Sequence, residues 1–342
     1  MKIKVFFIVL IILFSIGIVS SGKVGRVFVE NKEETGLYSS HANQLIPATI
    51  YKTANVSVAT YNILNFPGST GADRVFYFRQ IMDEMDVDIL VVQEMLNQGG
   101  VDLFLDEVLN YHEIEYSASD FINGPDTDNV IFFKHDVVTL VNSEQIETEL
   151  RDISEYSFVL NRKPNFEFVI YSLHLKASPG GTNGNKRFLE ISELDEHIEN
   201  PYSIVLGDYN IYKCSESAYQ KLINDFSVEL YDPIDECGNW HDNPDYAEIH
   251  TQSTRTTQFG GGARGGMDDR FDIILLSDIF EDSHWMKYIE GSYFAFGNDG
   301  QHFNQAVNEG ENDNILDALH YASDHLPVVV TFEYTYYRRP FF

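Results

Sequence analysis

Six short apolar runs, each with a carboxylate, an amide or an imidazole at one end, constrain this chain more than any other feature. They are VSVATYNI with Asn62, DILVVQE with Glu94, FEFVIYSLHL with His174, SIVLGDYN with Asp208 and Asn210, FDIILLS with Asp272, and DHLPVVV with Asp324 and His325. Runs this short and this rich in Val, Ile, Leu and Phe read as strands buried in a sheet rather than as helices. A polar residue at a strand end usually marks nothing more than exit to solvent. Here the residue types are narrower than that. Carboxylates, amides and histidines are the set that holds a hard divalent cation and a phosphate. In SIVLGDYN the period of two puts Asp208 and Asn210 on the same side of the chain. Gly207, just before them, is expected to let a substrate approach the backbone.

Helical periodicity fills the spaces between these strands, which makes this an α/β (α+β) chain. Residues 73–85 predict a helix with Val75, Phe76, Phe78, Ile81, Met82 and Met85 inward, and residues 101–109 suit a short one. Residues 186–198 predict a third, with Phe188, Leu189, Ile191, Leu194 and Ile198 inward. NVIFF at 129–133 and VVTLV at 137–141 suit a pair of strands, and residues 211–250 read as irregular. No internal repeat appears, and no boundary divides the chain after residue 55. One catalytic-sized domain over 56–335 is expected, with a short tail at 336–342.

The N-terminus stands apart. Lys2 and Lys4 precede an apolar run ending near Val19, followed by Ser20, Ser21 and Gly22, the pattern of a cleaved signal peptide over residues 1–22. The run is short for a bilayer span. No stable membrane association is expected after cleavage, and a secreted or periplasmic location follows. Residues 23–55 are polar and aperiodic and are expected to form a leader. The two cysteines, Cys214 and Cys237, are either one disulfide in an oxidising compartment or two buried thiols.

Lys and Arg number 23 against 53 Asp and Glu, a net charge of −30, which excludes nonspecific polyanion binding over the whole surface. The local balance runs the other way in two places. Residues 160–190 hold Arg162, Lys163, Lys176, Lys186 and Arg187 against Glu167 and Glu190, and the glycine-rich stretch 251–272 adds Arg255, Arg264 and Arg270. That stretch leads into Asp272 and is expected to close over a phosphate. Residues 297–317 are acidic and rich in Asn and Gly. Structural Ca²⁺ is a use for such a stretch, but it lacks the Asp-x-Asp-x-Asp-Gly spacing and reads better as a loop.

Taken in order, ATYNILNF, ILVVQEM, YSLHLKAS, VLGDYNI, RFDIILLS and ASDHLPVVV resemble the endonuclease/exonuclease/phosphatase family of metal-dependent phosphodiesterases. Each motif is weak alone; six in the right order over residues 56–334 are specific. The pattern is also similar to pancreatic deoxyribonuclease, with Asn161, Arg162, Lys163 and Pro164 in the place of an arginine-proline element. The resemblance implies a four-layer sandwich of two packed mixed β-sheets flanked by helices, with the site where strand ends meet. It implies Glu94 as the principal ligand of Mg²⁺ or Mn²⁺, with Asn62 and Asp324 close by. Asp208 would activate the attacking water, Asn210 would steady a phosphate oxygen, and His174 and His325 would hydrogen-bond the phosphate. Arg162 would contact substrate. Asp272 would orient His325, with Asp269 as a rival because DDRFD offers two frames.

Three functions follow from that set. A monomeric secreted nuclease acting on DNA, with RNA left open as an alternative, stands first. A lipid or inositol phosphodiesterase or phosphatase such as a sphingomyelinase stands second; no exposed aromatic hairpin announces membrane docking. A non-catalytic binding protein would be expected to have lost Glu94, Asp208 or His325, and all three are present. Glu94 is followed by Met-Leu-Asn-Gln-Gly-Gly, without the arginine that helps pancreatic deoxyribonuclease read a minor groove, which makes duplex DNA less secure than the chemistry itself.

Overall fold

In the sheets, alternation decides which core each side chain joins. Along the first strand Val56 and Val58 face one apolar layer while Ala59, Tyr61 and Ile63 face another. The next strand repeats this, with Ile89 and Val91 against Leu90 and Val92. A chain that buries both faces of its strands needs cover on both sides, and three apolar layers result.

These assignments come from a computed structural model that describes residues 50–258 and 261–338. The signal peptide expected at 1–22, most of the expected leader and the end of the expected tail lie outside those residues. The leader expectation ran too far: β1 begins at Ile50 and runs to Phe66, with Tyr51 to Asn55 already in the strand. Likewise β13 (Val328–Arg338) runs past residue 335.

One sheet contains β1, β2 (Ile89–Met95), β3 (Tyr116–Ala118), β4 (Asp128–Lys134), β11 (Met286–Tyr288), β12 (Phe294–Ala295) and β13. Its order is β11-β13-β1-β2-β4-β3, with β12 on β13. The other contains β5 (Val138–Ile146), β6 (Ile153–Leu160), β7 (Lys163–His174), β8 (Ser203–Asp208), β9 (Leu230–Tyr231) and β10 (Asp272–Ser277), in the order β5-β6-β7-β8-β10-β9. Both are mixed: β1 and β2 are parallel, as are β7 and β8, while β2–β4 and β8–β10 are antiparallel.

Ile89, Val91, Phe168, Ile170, Ile204, Leu206, Ile274 and Val328 form the layer between the sheets. Helices α1 (Gly71–Met85), α2 (Gln98–Phe104) and α6 (Asn314–Ala322) cover the outer face of the first sheet. Helices α3 (Gly181–His197) and α4 (Ser217–Asn224) cover that of the second, and a short α5 (Ile279–Asp282) follows β10. The expected four-layer sandwich is the fold. Among the described residues no helix is long and apolar enough to cross a membrane.

Four local expectations need correction. NVIFF and VVTLV do not pair, because β4 and β5 belong to different sheets; β5 pairs instead with β6, a strand the sequence reading passed over. Phe76 and Leu189 are exposed, and α3 buries Arg187 and Glu190 in their stead. The 211–250 segment contains α4, β9 and a 3₁₀ turn at Pro244–Ile249. Gly207 serves the fold rather than a substrate: a Cβ there would lie 1.9 Å from the carbonyl oxygen of Leu173 on β7, and its φ of +136° suits glycine.

The cysteines resolve to one disulfide, Cys214–Cys237, with Cα atoms 5.3 Å apart. It closes the segment that follows Asn210.

Candidate active site

The inter-sheet layer turns polar at one end of the strands. Thr60, Gln93 and Ser172 continue the inward-facing positions of β1, β2 and β7, and hydrogen-bond in a row, Thr60 Oγ1 to Gln93 Oε1 and Gln93 Nε2 to Ser172 Oγ at 3.2 Å each. One step further along the same faces come Asn62, His174, Asp208 and Asp272. The period of two therefore carries four of the expected residues to one place. The register agrees, since Asp208 pairs with His174 on one side and with Asp272 on the other.

Asn62 is the hub of the carboxylates. Its Nδ2 donates to Glu94 Oε1 and to Asp208 Oδ2, both at 3.0 Å. Its Oδ1 accepts from the N–H of Leu64 at 3.0 Å, which fixes which end of the amide faces the carboxylates. The amide thus presents hydrogens to both carboxylates and spaces them, with its oxygen turned to the backbone. Glu94 sits inside a register shift between β2 and β4, between Val92 and Met95, with φ of 66°, a left-handed conformation uncommon for a residue with a side chain. That bulge re-aims the carboxylate, and its Oε2 accepts from the N–H of Asn65 at 2.8 Å.

Asp324 has one oxygen on the N–H of Ala263 at 2.5 Å, and the other is buried with no hydrogen-bond partner among the described residues. Burial, and then the Asp324 carboxylate, push the Glu94 carboxyl up, so the two acids sense one another. An orphaned buried oxygen beside a second carboxylate is the donor set of a hard cation, and Mg²⁺ or Mn²⁺ fits it through Glu94 and Asp324.

The frame question is settled for Asp272. Its Oδ2 accepts from His325 Nδ1 at 2.8 Å, whereas Asp269 Oδ1 meets His241 Nδ1 at 2.8 Å. Asp272 is fully buried and its own N–H is held by Thr251 Oγ1 at 3.0 Å. Burial alone would lower His325, but Asp272 and Asp208 overcome it and hold the imidazole well above its ordinary value. Its Nε2 lies 3.8 Å from Asp208 Oδ2 and 2.6 Å from the amide nitrogen of Gln252. His174 is the opposite case. Burial, aided by Arg151, His325 and Lys176, keeps it neutral, with Nε2 at 3.4 Å from Asp208 Oδ2. Burial pushes Asp208 up to about 7; His325 opposes this, while Asp272 and Glu94 add to it. Asn210 turns through φ of 50°, its N–H on Asp208 Oδ1 at 3.1 Å and its amide on the Leu175 carbonyl at 3.3 Å.

The sequence matches the model of the endonuclease/exonuclease/phosphatase family over residues 59–325. The chain belongs to this family. The activities in that name share one reaction, hydrolysis of a phosphoester, and the site is built for it. No curated protein matches the chain. Among solved structures it is similar to an endonuclease/exonuclease/phosphatase family protein from Bacteroides thetaiotaomicron, with 18% identity, a TM-score of 0.55, and 83% of this chain and 97% of that one covered. It is similar to TDP2 from D. rerio, complexed with single-strand DNA product, at 14% identity and TM-score 0.55, covering 82% and 99%. It is also similar to a mannosyl-6-phosphatase of Bacteroides thetaiotaomicron at 20% identity and TM-score 0.53, covering 81% and 99%. Identities this low speak for the fold.

Within that family frame Arg162 is misplaced by the sequence reading. It lies in the β6–β7 turn, with its guanidinium 5.5 Å from the Tyr336 ring, at the opposite end of β7 from His174. Roughly 35 Å of extended chain separates them. The structure brings Arg151 near instead, its Nη1 3.4 Å from the Leu175 carbonyl and its charge among those lowering His174. Nothing in its sequence context distinguished it.

The positive track is corrected as well. Arg187, Arg255 and Arg270 are buried; Arg187 braces Glu216 at 2.6 Å, and Arg270 grips both oxygens of Asp232 at 2.7 and 2.9 Å. Lys163 is buried over the Trp285 ring. Other residues that the sequence did not flag hold the site's frame. Arg74 ties the carbonyls of Ile63 and Leu64 to that of Ala322, and Ser323 Oγ donates to the Asn62 carbonyl at 2.6 Å.

Proposed function

We propose that this protein is an exported, divalent-metal-dependent phosphodiesterase that cleaves nucleic acid, DNA first, over a short footprint. The convergence of Asp208, His325 and Glu94 on one end of the inter-sheet layer carries the reading. Glu94 and Asp324 would hold Mg²⁺ or Mn²⁺, which when bound supplies charge neutralisation and polarises a phosphoryl oxygen.

The chain's own groups supply the rest. Asp208, with a carboxyl near 7, accepts a proton from the attacking water once ionised. Asn62 holds Asp208 and Glu94 at a fixed spacing through one amide. His325, kept cationic by Asp272, offers Nε2–H to a phosphate oxygen as charge develops there. In that state the Gln252 amide must turn its oxygen toward the ring; neutral His325 instead accepts from the amide nitrogen. Neutral His174 and the free hydrogen of Asn210 serve as further donors on the same side.

Three features support the substrate and the location. The motif order resembles a deoxyribonuclease, one fold neighbour is seen with single-strand DNA product, and a disulfide closes the segment beside the site. The burial of three arginines argues for contact with few phosphates. The test is one panel with Mg²⁺: plasmid and single-stranded DNA, RNA, sphingomyelin, inositol phosphates and a sugar phosphate. Nucleic acid should be hydrolysed fastest, and not at all in EDTA. Faster turnover of a lipid, inositol or sugar phosphate would overturn the substrate; unchanged hydrolysis in chelator would overturn the metal.

A further inference from the structure

Helix α3 turns two buried charges toward the loops that leave the site. Arg187 is 1% exposed, and Glu190, three positions further along the helix, is 3% exposed. That spacing puts both on one face of the helix, and the face meets the segment that follows His174 and Leu175. Glu190 Oε2 accepts from the N–H of Lys176 at 3.0 Å. Arg187 Nη1 donates to the Lys176 carbonyl at 2.6 Å and to the Ser178 carbonyl at 3.1 Å. Both main-chain polar groups of Lys176 are thus held by α3. So is Ser178, whose φ of +78° is a left-handed conformation uncommon for a residue with a side chain.

The same guanidinium reaches the loop that follows Asn210. Its Nε and Nη2 donate to Glu216 Oε2 at 3.2 and 2.6 Å. The other oxygen of Glu216 accepts from the N–H of Tyr212 at 2.9 Å, and the Tyr212 ring lies 5.7 Å from the guanidinium. Between these two anchored points sits Leu175. Its N–H donates to the Asp208 carbonyl at 2.9 Å, and its own carbonyl accepts from the Asn210 amide at 3.3 Å. The strands fix His174 and Asp208 as their last paired positions. Past that point the two loops are joined through Arg187, Glu190 and Glu216. Buried charges contribute little net stability once desolvation is counted, so stability alone does not account for this arrangement.

We infer, resting on the hydrolysis proposed above, that Arg187 is a positioning residue. With Glu216 it ties the loop after His174 to the loop after Asn210, and so sets the Leu175 carbonyl that orients the Asn210 amide beside Asp208. A guanidinium suits this task because its planar fork puts donors on Nε, Nη1 and Nη2 and aims them in different directions. A lysine carries its donors on a single nitrogen and cannot span two carbonyls on one side and a carboxylate on the other. Glutamine at 216 would have one oxygen, to face either Arg187 or the Tyr212 N–H but not both. Arg187→Lys and Glu216→Gln therefore uncouple the loops by different routes.

The test uses the best substrate of the panel above, at a temperature where the variants remain folded by circular dichroism. Each variant should lower kcat by at least about tenfold, within the hundredfold that a misplacement of about 1 Å can cost. KM should change by less than about threefold. Because the effect passes through Asn210, Arg187→Lys should cost no more than about threefold in an Asn210→Ala background. A merely structural role would leave the two costs multiplicative. A second readout needs no substrate: in ¹⁵N spectra the side-chain amide signals of Asn210 should shift in both variants, while those of Asn62, on the other sheet, hold their place. Multiplicative costs, an unchanged kcat or an unmoved Asn210 amide would overturn the positioning role. Should Arg187→Lys fail to fold, Glu216→Gln, which keeps one of the two links, carries the same cycle and the same spectra. A wild type that hydrolyses nothing in the panel would overturn the proposed function instead, and the Asn210 amide would still decide whether the clamp sets it.

Discussion

At the residue scale, Asp208 carries opposing demands. It must be ionised to take a proton, yet it is 2% exposed and pushed up to about 7, with burial the largest cause. Asp208→Asn and His325→Ala should each lower kcat by at least about a hundredfold, the lower range for acid–base groups; single-turnover kinetics on the best substrate checks this. Asp272→Asn should cost comparably and Asp269→Asn much less, because only Asp272 reaches His325. Stability should move the other way. A carboxyl whose folded value lies above its unfolded value of about 3.9 stabilises the fold while protonated, and that contribution is lost as pH rises through about 7. Asp208→Asn, neutral at every pH, should therefore melt higher than wild type at pH 8 in chelator, with the gap closing by pH 4. A wild-type advantage at pH 8 would show that His325 repays the buried charge.

At the element scale, the strands and their polar ends were legible because period two and residue type report burial directly. Asn62, Glu94, His174, Asp208, Asp272 and Asp324 with His325 needed no tertiary information to be singled out. What escaped needed partners distant in sequence. The separation of β4 from β5 depends on which sheet each joins, and Arg162 is placed by the length of β7 rather than by its neighbours. The burial of Arg187 and Arg270 depends on Glu216 and Asp232, one element away in each case. Arg270 shows what such a partner does. It stands two residues before Asp272, held by a bidentate pair with Asp232 over the Trp240 ring. Burial would raise Asp232, but Arg270 overcomes this and holds it below its ordinary value. Its contribution is present above the unfolded value of about 3.9 and lost as pH falls through the folded one. Asp232→Asn should cost about 3–5 kcal/mol at pH 7, because it strands a buried guanidinium, and the deficit should shrink in acid. Urea melts at pH 7 and pH 3 measure both.

At the scale of the whole molecule, the charge distribution decides how a polyanion would be held. Reading the sequence alone, Arg162, Lys163, Lys176, Lys186, Arg187, Arg255, Arg264 and Arg270 line a path for a backbone. The structure withdraws most of them. Arg187, Arg255, Arg270 and Lys163 are buried, Arg162 lies at the far end of β7, and Lys186 is shared with Glu149 at 3.5 Å. Lys176 and Arg264 remain, on a chain of net charge −30, while Arg151, whose charge is felt at His174, is shared with Asp126 at 2.9 Å. Each neutralised phosphate contributes about −0.9 to the slope of log K against log salt on duplex DNA, and about −0.7 on a single strand. Eight contacts predict a duplex slope near −7, whereas two or three predict about −2 to −3. Binding of the Glu94→Gln variant to a short duplex, measured by anisotropy from 20 to 200 mM salt, separates the two. A slope near −2 fits a substrate gripped at the scissile phosphate and little beyond it. Such an enzyme would discriminate weakly between sequences, and it would draw most of its specificity from Asp208, His325 and the ion proposed for Glu94 and Asp324.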